Sequence, residues 1–323
     1  GTAVRGVEEL EPVMVRRLKK HLRAEVAGLP ERILVDHPIR LAKGDPELVL
    51  GELLADYDQA YRDILSALSE RDQAARGLVL VNLHKRLLSS IAAFSRTLDA
   101  HARGIAKRLE DAGKSTQQLR WLDAPRRDDA TEDAGDAQLD EREDEFAEAT
   151  AVTPSERARA LLEQMQTVAR AHAHRPDGRL RALADWIREN LLEAGGTWKP
   201  RRVVVFTEYE DTLRWIVARL PPLLATADLD GRIEVYLGEP GAARRETVKR
   251  AFNADPALNP LRVLIATDAA REGINLQAHC NHLFHFDLPW NPSRVEQRNG
   301  RIDRTLQPEP QVFCHYFDLP DRP

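Results

Sequence analysis

Val203-Val204-Val205-Phe206-Thr207 is the stretch on which the fold turns. A run of large apolar residues ending in a hydroxyl predicts a short strand apolar on both faces, the composition of a parallel strand covered by helices above and below. Working forward, the pattern predicts a helix over 211–220, a strand over 233–237, a helix over 244–252 and a strand over 263–266. A strand over 282–286, a helix over 294–303 and a strand over 312–317 follow. Strands alternating with helices at this spacing predict a doubly wound, parallel α/β sheet across roughly 196–323.

Working backward, Gly195-Gly196 closes an amphipathic helix carrying Leu180, Leu183, Trp186, Ile187 and Leu191. A helix over 153–173 precedes it, with Pro154 in its first turn, where a missing N–H costs nothing. Farther upstream Leu80, Leu83, Leu87, Ile91, Phe94 and Leu98 recur at spacings of three and four and share one helical face. Residues 47–70 read as another helix, with Gly77 as the break, so 46–125 is expected to be a helical hairpin inserted ahead of the lobe. Between Arg126 and Ala149 eleven carboxylates face three arginines, with Leu139 and Phe146 the large apolar residues. Such a segment buries too little to offset its ordering entropy, so 126–152 is expected to be a flexible acidic linker. At the start, a basic helix over 13–20 runs into Gly28-Leu29-Pro30, and residues 32–41 alternate like an extended segment. An orphan strand after a basic helix points to a piece of a longer protein. Residues 1–45 are read as a connector and 153–323 as the α/β lobe with its leading helices.

With 323 residues, 42% apolar and 31% charged, the chain has material for a core and a charged surface. No apolar run approaches the ~20 residues a membrane-crossing helix needs. Cys280 and Cys314 cannot build a disulfide framework or a four-thiolate zinc site. Secreted, membrane and zinc-ribbon classes are set aside, and a cytoplasmic location is expected. The net charge of −5 hides a mildly basic body behind the acidic stretch, and a polyanion responds to local placement of charge rather than to the total. His279, Cys280, His282 and His285 lie close together, but His282 and His285 fall on opposite faces of a strand and no second ligand pair follows, so no metal site is expected. Gly113-Lys114-Ser115 imitates the end of a P-loop, yet Arg108 stands where the motif requires glycine. Trp186, Trp215 and Trp290 read as packing residues.

The chemistry-bearing segment is Gln297-Arg298-Asn299-Gly300-Arg301-Ile302-Asp303-Arg304. Arg301 and Arg304 are three apart and share a helical face, with Arg298 a turn behind. Guanidinium forks match phosphate oxygens bidentately and stay charged at any working pH. The plainer reading is a surface cluster neutralised by Glu296 and Asp303. In Val263–Leu276 a buried strand breaks into a polar loop at its carboxyl end, the edge where open α/β sheets bind ligands. Asp287-Leu288-Pro289-Trp290-Asn291-Pro292 then forms a rigid turn into the arginine helix.

These segments resemble the superfamily-two helicases and, within them, the bacterial Swi/Snf-like ATP-dependent DNA translocases. Val203–Tyr209 resembles motif IV, and Gly238 with Arg245 the glycine-then-arginine element after the next strand. Thr267-Asp268 through Glu272-Gly273-Ile274-Asn275-Leu276 resembles motif V, and Gln297–Arg304 motif VI. Arg16-Arg17-Leu18-Lys19-Lys20 and Leu29-Pro30-Glu31-Arg32 resemble the connector after the first motor lobe.

The resemblance implies the second of two RecA-like lobes. ATP and magnesium would be held mainly by a first lobe that this sequence lacks. It implies that Arg301 and Arg304 contact the γ-phosphate, that Gln297 and Arg298 align phosphate and water, and that Asn275, Glu272 and Gly273 lie near the nucleotide. Thr207, Gly238, Arg245 and Thr267 would line a nucleic-acid backbone, with duplex DNA bound regardless of sequence. Two departures stand out. Thr305-Leu306-Gln307-Pro308 replaces the isoleucine-glycine-glutamine run usual after motif VI, and the 43–152 insertion is long; it could brace the duplex, dock a protein partner or stiffen the lobe. The competing readings are a non-catalytic DNA- or protein-binding module on the same fold and the second lobe of an RNA helicase.

Overall fold

A computed structural model describes residues 29–111, 136–238, 242–268 and 275–321. The basic opening segment, the P-loop look-alike at 112–116, and Glu272 and Gly273 lie outside the described residues. The 203–207 run lies within β2 (Arg202–Thr207), which is buried along its whole length. Its neighbours are β4 (Val263–Thr267) and β5 (Cys280–His285), both parallel to it. With β1 (Glu31–Pro38), β3 (Ile233–Tyr236) and β6 (Gln311–Asp318) the sheet is six-stranded and all-parallel, in the order β1-β6-β5-β2-β4-β3.

Alternation along β2 feeds two cores. Val203 and Val205 pack with α6 (Gly178–Leu191) and α7 (Glu210–Arg219) on one face, while Val204 and Phe206 pack with Val248 and Phe252 of α8 (Ala242–Asn253) on the other. The expected doubly wound α/β lobe is present. Its edge differs from expectation. Residues 31–38, assigned to a connector, form a full strand of the sheet, in register from Glu31 opposite Gln311 to Pro38 opposite Asp318. That pairing joins nearly the two ends of the chain, and no local pattern announces so distant a partner.

The insertion forms a second core. It is built by α1 (Pro46–Leu65), α2 (Glu70–Ser89), α3 (Ile91–Asp111) and α4 (Asp136–Ala149). They are joined by α5 (Glu156–His172), a helix expected to lead the lobe, whose Ala158, Leu162, Met165 and Ala169 pack into this core instead. Gly77 lies inside α2 rather than at a break; the breaks come at 66–69, where Ser69 caps α2, and at Ser90. The predicted stripe from Leu80 to Leu98 is therefore shared by two helices meeting at a corner.

The second correction concerns the acidic stretch. Its part from Asp136 to Ala149 is a helix, α4, with Leu139, Asp140, Glu143, Phe146 and Ala147 buried. Carboxylates stay charged in a protein interior only when paired. Arg86 of α2, fully buried, donates to Glu143 at 2.9 Å, Asp140 at 3.2 Å and Asp211 of α7 at 2.8 Å, and stacks on the Tyr209 ring at 4.4 Å. Arg96 of α3 bridges Asp144 and Asp211 at 2.7 Å each. The arginines that order α4 lie some 50 residues away in sequence. Close approach also requires Gly104 of α3, where a Cβ would sit 2.2 Å from the Glu148 carbonyl oxygen.

Candidate functional site

The helix that carries the arginines, α9 (Pro292–Asn299), starts where chain chemistry dictates. Asn291 caps it by accepting from the Ser293 N–H at 2.9 Å, and Pro292 occupies its first turn. Regular helix ends at Asn299, earlier than the expected 303. Hydrogen-bonded turns then carry the chain on to Asp303, and Ile302 plugs into the core beneath the sheet. The segment lies at the carboxyl ends of the strands.

Three motif arginines have three different environments. Arg298 is buried at 2% exposure, its Nε and Nη2 forking onto the Asp268 carboxylate at 2.5 and 2.9 Å, its Nη1 donating to the Asp287 carbonyl at 2.6 Å. Burial opposes its charge, but Asp268 and then Asp287 more than compensate, and its pKa is raised. Expected to align phosphate, Arg298 is instead a brace between the motif V strand end and the turn after β5. Arg301 is half-buried and lines a small cleft with Phe206, Asp268, Arg294 and Gln297. Arg304 is half-buried too; its Nε donates to the Gly300 carbonyl at 2.6 Å and its Nη1 to the Asn275 side-chain oxygen, both uncharged acceptors. Glu296 and Asp303 do not serve as the plain surface reading supposed. Both accept from Arg32 of β1, at 2.9 and 2.6 Å.

Asn275 is exposed and meets Arg304, and its carbonyl accepts from Asn253 at 2.7 Å. Gln297 is exposed at the cleft rim. Across the lobe, Arg245 donates to the Gly238 carbonyl at 2.9 Å, so the glycine–arginine pair closes on itself. Thr207 and Thr267, expected along a nucleic-acid track, are fully buried. The Thr207 hydroxyl is spent on Asp287 at 2.6 Å. Thr207 is therefore an internal fastener to the turn after β5.

Asp287, the residue that organises this edge, reads in the sequence only as part of a rigid turn. One oxygen accepts from Ser89 at 2.5 Å and Thr207 at 2.6 Å; the other accepts from the Glu208 N–H at 2.8 Å. Nearby His285 bonds Asn299 at 2.8 Å and stacks on Tyr316; burial, then Arg298, push its pKa down to about 3, so it is a neutral spacer. On the other side of β5, His282 and His37 each bond His315, at 3.0 and 2.9 Å, against Trp186. Burial lowers His282 to about 4 and His315 to about 2. His37, His282 and His315 thus form one hydrogen-bonded set.

The residues fit a phosphate better than a metal. A half-buried guanidinium held by neutral oxygens, as Arg304 is, keeps its charge available to an anion. Asp268, the carboxylate in the cleft, is occupied by Arg298.

Comparison with known proteins finds similarity to helicases. Residues 183–305 match the helicase conserved C-terminal domain family. Over 110 residues the chain is 39% identical to the ATP-dependent helicase YqhH of Bacillus subtilis, covering 33% of this chain and 17% of that protein. Over 58 residues it is 47% identical to the RNA polymerase-associated protein RapA of Pectobacterium atrosepticum, covering 18% of this chain and 6% of that protein. Among solved structures, the C-terminal part of the Fun30 ATPase domain superposes with a TM-score of 0.48 at 13% identity, over 91% of this chain and 87% of that one. The chain thus spans less than a fifth of the length of these curated relatives.

Proposed function

Since residues 183–305 are a helicase conserved C-terminal domain, we propose that the chain is the second RecA-like lobe of a Swi/Snf-like, ATP-dependent DNA translocase. The carrying observation is the placement of Arg301 and Arg304 at the carboxyl edge of the sheet, half-exposed, with Arg304 held by uncharged oxygens. In the assembled enzyme a first lobe holds ATP and magnesium, and these two guanidiniums close on the γ-phosphate from the opposite side. There they offset charge that spreads over its oxygens in the transition state, an effect worth roughly 10³–10⁵ in rate for arginine fingers in general. Arg298 holds the helix in place, and Gln297 and Asn275 lie where they can touch nucleotide or water. Duplex DNA runs past Gly238 and Arg245, bound through its phosphates, so binding is sequence-independent and weakens steeply with salt.

The test is steady-state ATP hydrolysis by the full-length protein with duplex DNA, single strands or RNA as activator. Arg301→Ala and Arg304→Ala should each lower kcat by about 10³-fold or more while DNA binding persists. Lysine at either position should not rescue, because it lacks the planar fork. Wild-type turnover in either alanine variant would remove the finger assignment. Stimulation by RNA in preference to duplex DNA would move the lobe to the RNA helicases.

A further inference from the structure

The α2–α3 corner of the insertion, Leu88-Ser89-Ser90, is built into the edge of the sheet that carries the arginine segment. The Ser89 hydroxyl donates to the Asp287 carboxylate at 2.5 Å and pairs with the Thr212 hydroxyl at 2.6 Å. Arg179 of α6 ties the two halves further, donating to the Leu88 carbonyl at 2.7 Å, the Ser89 carbonyl at 2.8 Å and, more weakly, the Phe286 carbonyl at 3.5 Å. Ser89, Arg179 and Asp287 are all at least nine-tenths buried. Asp287 in turn meets Arg298 through both its main-chain oxygen, at 2.6 Å, and its side chain, at 3.5 Å. Arg298 forks onto Asp268 and stands one turn ahead of Arg301. A continuous, buried path of charge-assisted hydrogen bonds therefore runs from the insertion to the arginine segment. Such bonds hold geometry tightly inside a protein, where the dielectric is low.

From this path we propose that Ser89 is a positioning residue for nucleotide hydrolysis, by which the helical insertion sets the placement of the arginine segment through Asp287 and Arg298. The proposal rests on the arginine-finger reading given above. Ser89 touches no nucleotide; it fixes the carboxylate that holds the brace. Loss of its hydroxyl leaves Asp287 one donor short and lets the α9 segment relax. Productive alignment suffers more than nucleotide affinity, because small displacements of a catalytic group cost rate before they cost binding.

The experiment uses the full-length protein, with duplex DNA and ATP. Ser89→Ala should lower kcat about fivefold to tenfold, with KM for ATP moving less than about twofold. Ser89→Cys, of similar shape and weaker as a donor, should fall between. Ser90→Ala is the stability control: it loses a bond to Thr212 at 2.8 Å and the cap to the Ala93 N–H at 3.0 Å, but has no bond to Asp287. It should lower Tm at least as much as Ser89→Ala and leave kcat within about twofold. The decisive arm is the double variant. In an Asp287→Asn background, adding Ser89→Ala should have little further effect, since the path is already broken. Equal losses from Ser89→Ala with and without Asp287→Asn would overturn the proposal, as would wild-type kcat in folded Ser89→Ala or parallel losses for Ser89→Ala and Ser90→Ala. Absence of DNA-stimulated hydrolysis in the wild type would instead bring down the functional reading, and this inference with it.

Discussion

The molecule assembles guanidiniums twice, in opposite ways. At the seam between insertion and lobe, Arg86 is enclosed by Asp140, Glu143 and Asp211, and the exposed Arg96 bridges Asp144 and Asp211 at the rim. Acid outnumbers base there, and burial followed by the neighbouring Asp140 raises the pKa of Asp211. At the carboxyl edge of the sheet Arg294 and Arg298 are enclosed, while Arg301, on a small cleft, and Arg304 beside it are half-buried. The difference separates two uses of one side chain. A guanidinium surrounded by carboxylates holds a structure together; one kept partly open on neutral oxygens, as Arg304 is, keeps its charge available to an anion.

The contrast can be broken by substitution. Arg86→Met should destabilise by about 3–5 kcal/mol, because it strands buried carboxylates. The readout is the urea midpoint of the chain. Arg301→Ala in the same assay should shift stability by less than about 1 kcal/mol, since half-exposed positions contribute little. Similar midpoints for the two variants would erase the distinction. A smaller effect probes how closely the acidic helix sits on its neighbour: Gly104→Ala should cost about 1–3 kcal/mol by forcing α3 and α4 apart.

The mildest perturbation is pH. His101 in the bundle, bonded to the Tyr57 hydroxyl at 2.7 Å, is lowered by burial to about 4, and His282 and His285 of the lobe to about 4 and 3. Folded pKa values below the unfolded value mean that the unfolded chain takes up protons first, so stability is complete above about pH 6.5 and declines below it. Each such histidine should cost about 1 kcal/mol between pH 6.5 and 5.5, read as a falling Tm. His101→Phe should remove the bundle's share of that decline and leave the lobe's intact.

What could be read from sequence divides along the same line. The apolar runs at 203–206 and 263–266 announce parallel strands because burial on both faces leaves no polar alternation. The arginine segment reads directly because it is contiguous; its phosphate role is the proposal made above. Three features escaped. The carboxylates of α4 looked solvated because Arg86 and Arg96, which neutralise them, lie on other helices. β1 reads as an orphan strand in a connector because its partner, β6, lies far along the sequence, as does Asp303, 271 positions from Arg32. Asp287 looked like a turn residue because its role depends on Ser89, Thr207 and Arg298 converging from separate elements. Each miss is a polar group whose meaning is set by distant partners.

The borders of the conserved domain carry a practical lesson. Residues 183–305 contain neither β1 nor β6, although these two strands complete one side of the sheet and supply Arg32, His37 and His315. A fragment trimmed to those borders would bare the hydrogen-bonding margin of β5 and uncover its aromatic plating, an invitation to self-association. Recombinant work on the lobe should begin upstream of Glu31 and run beyond Asp318.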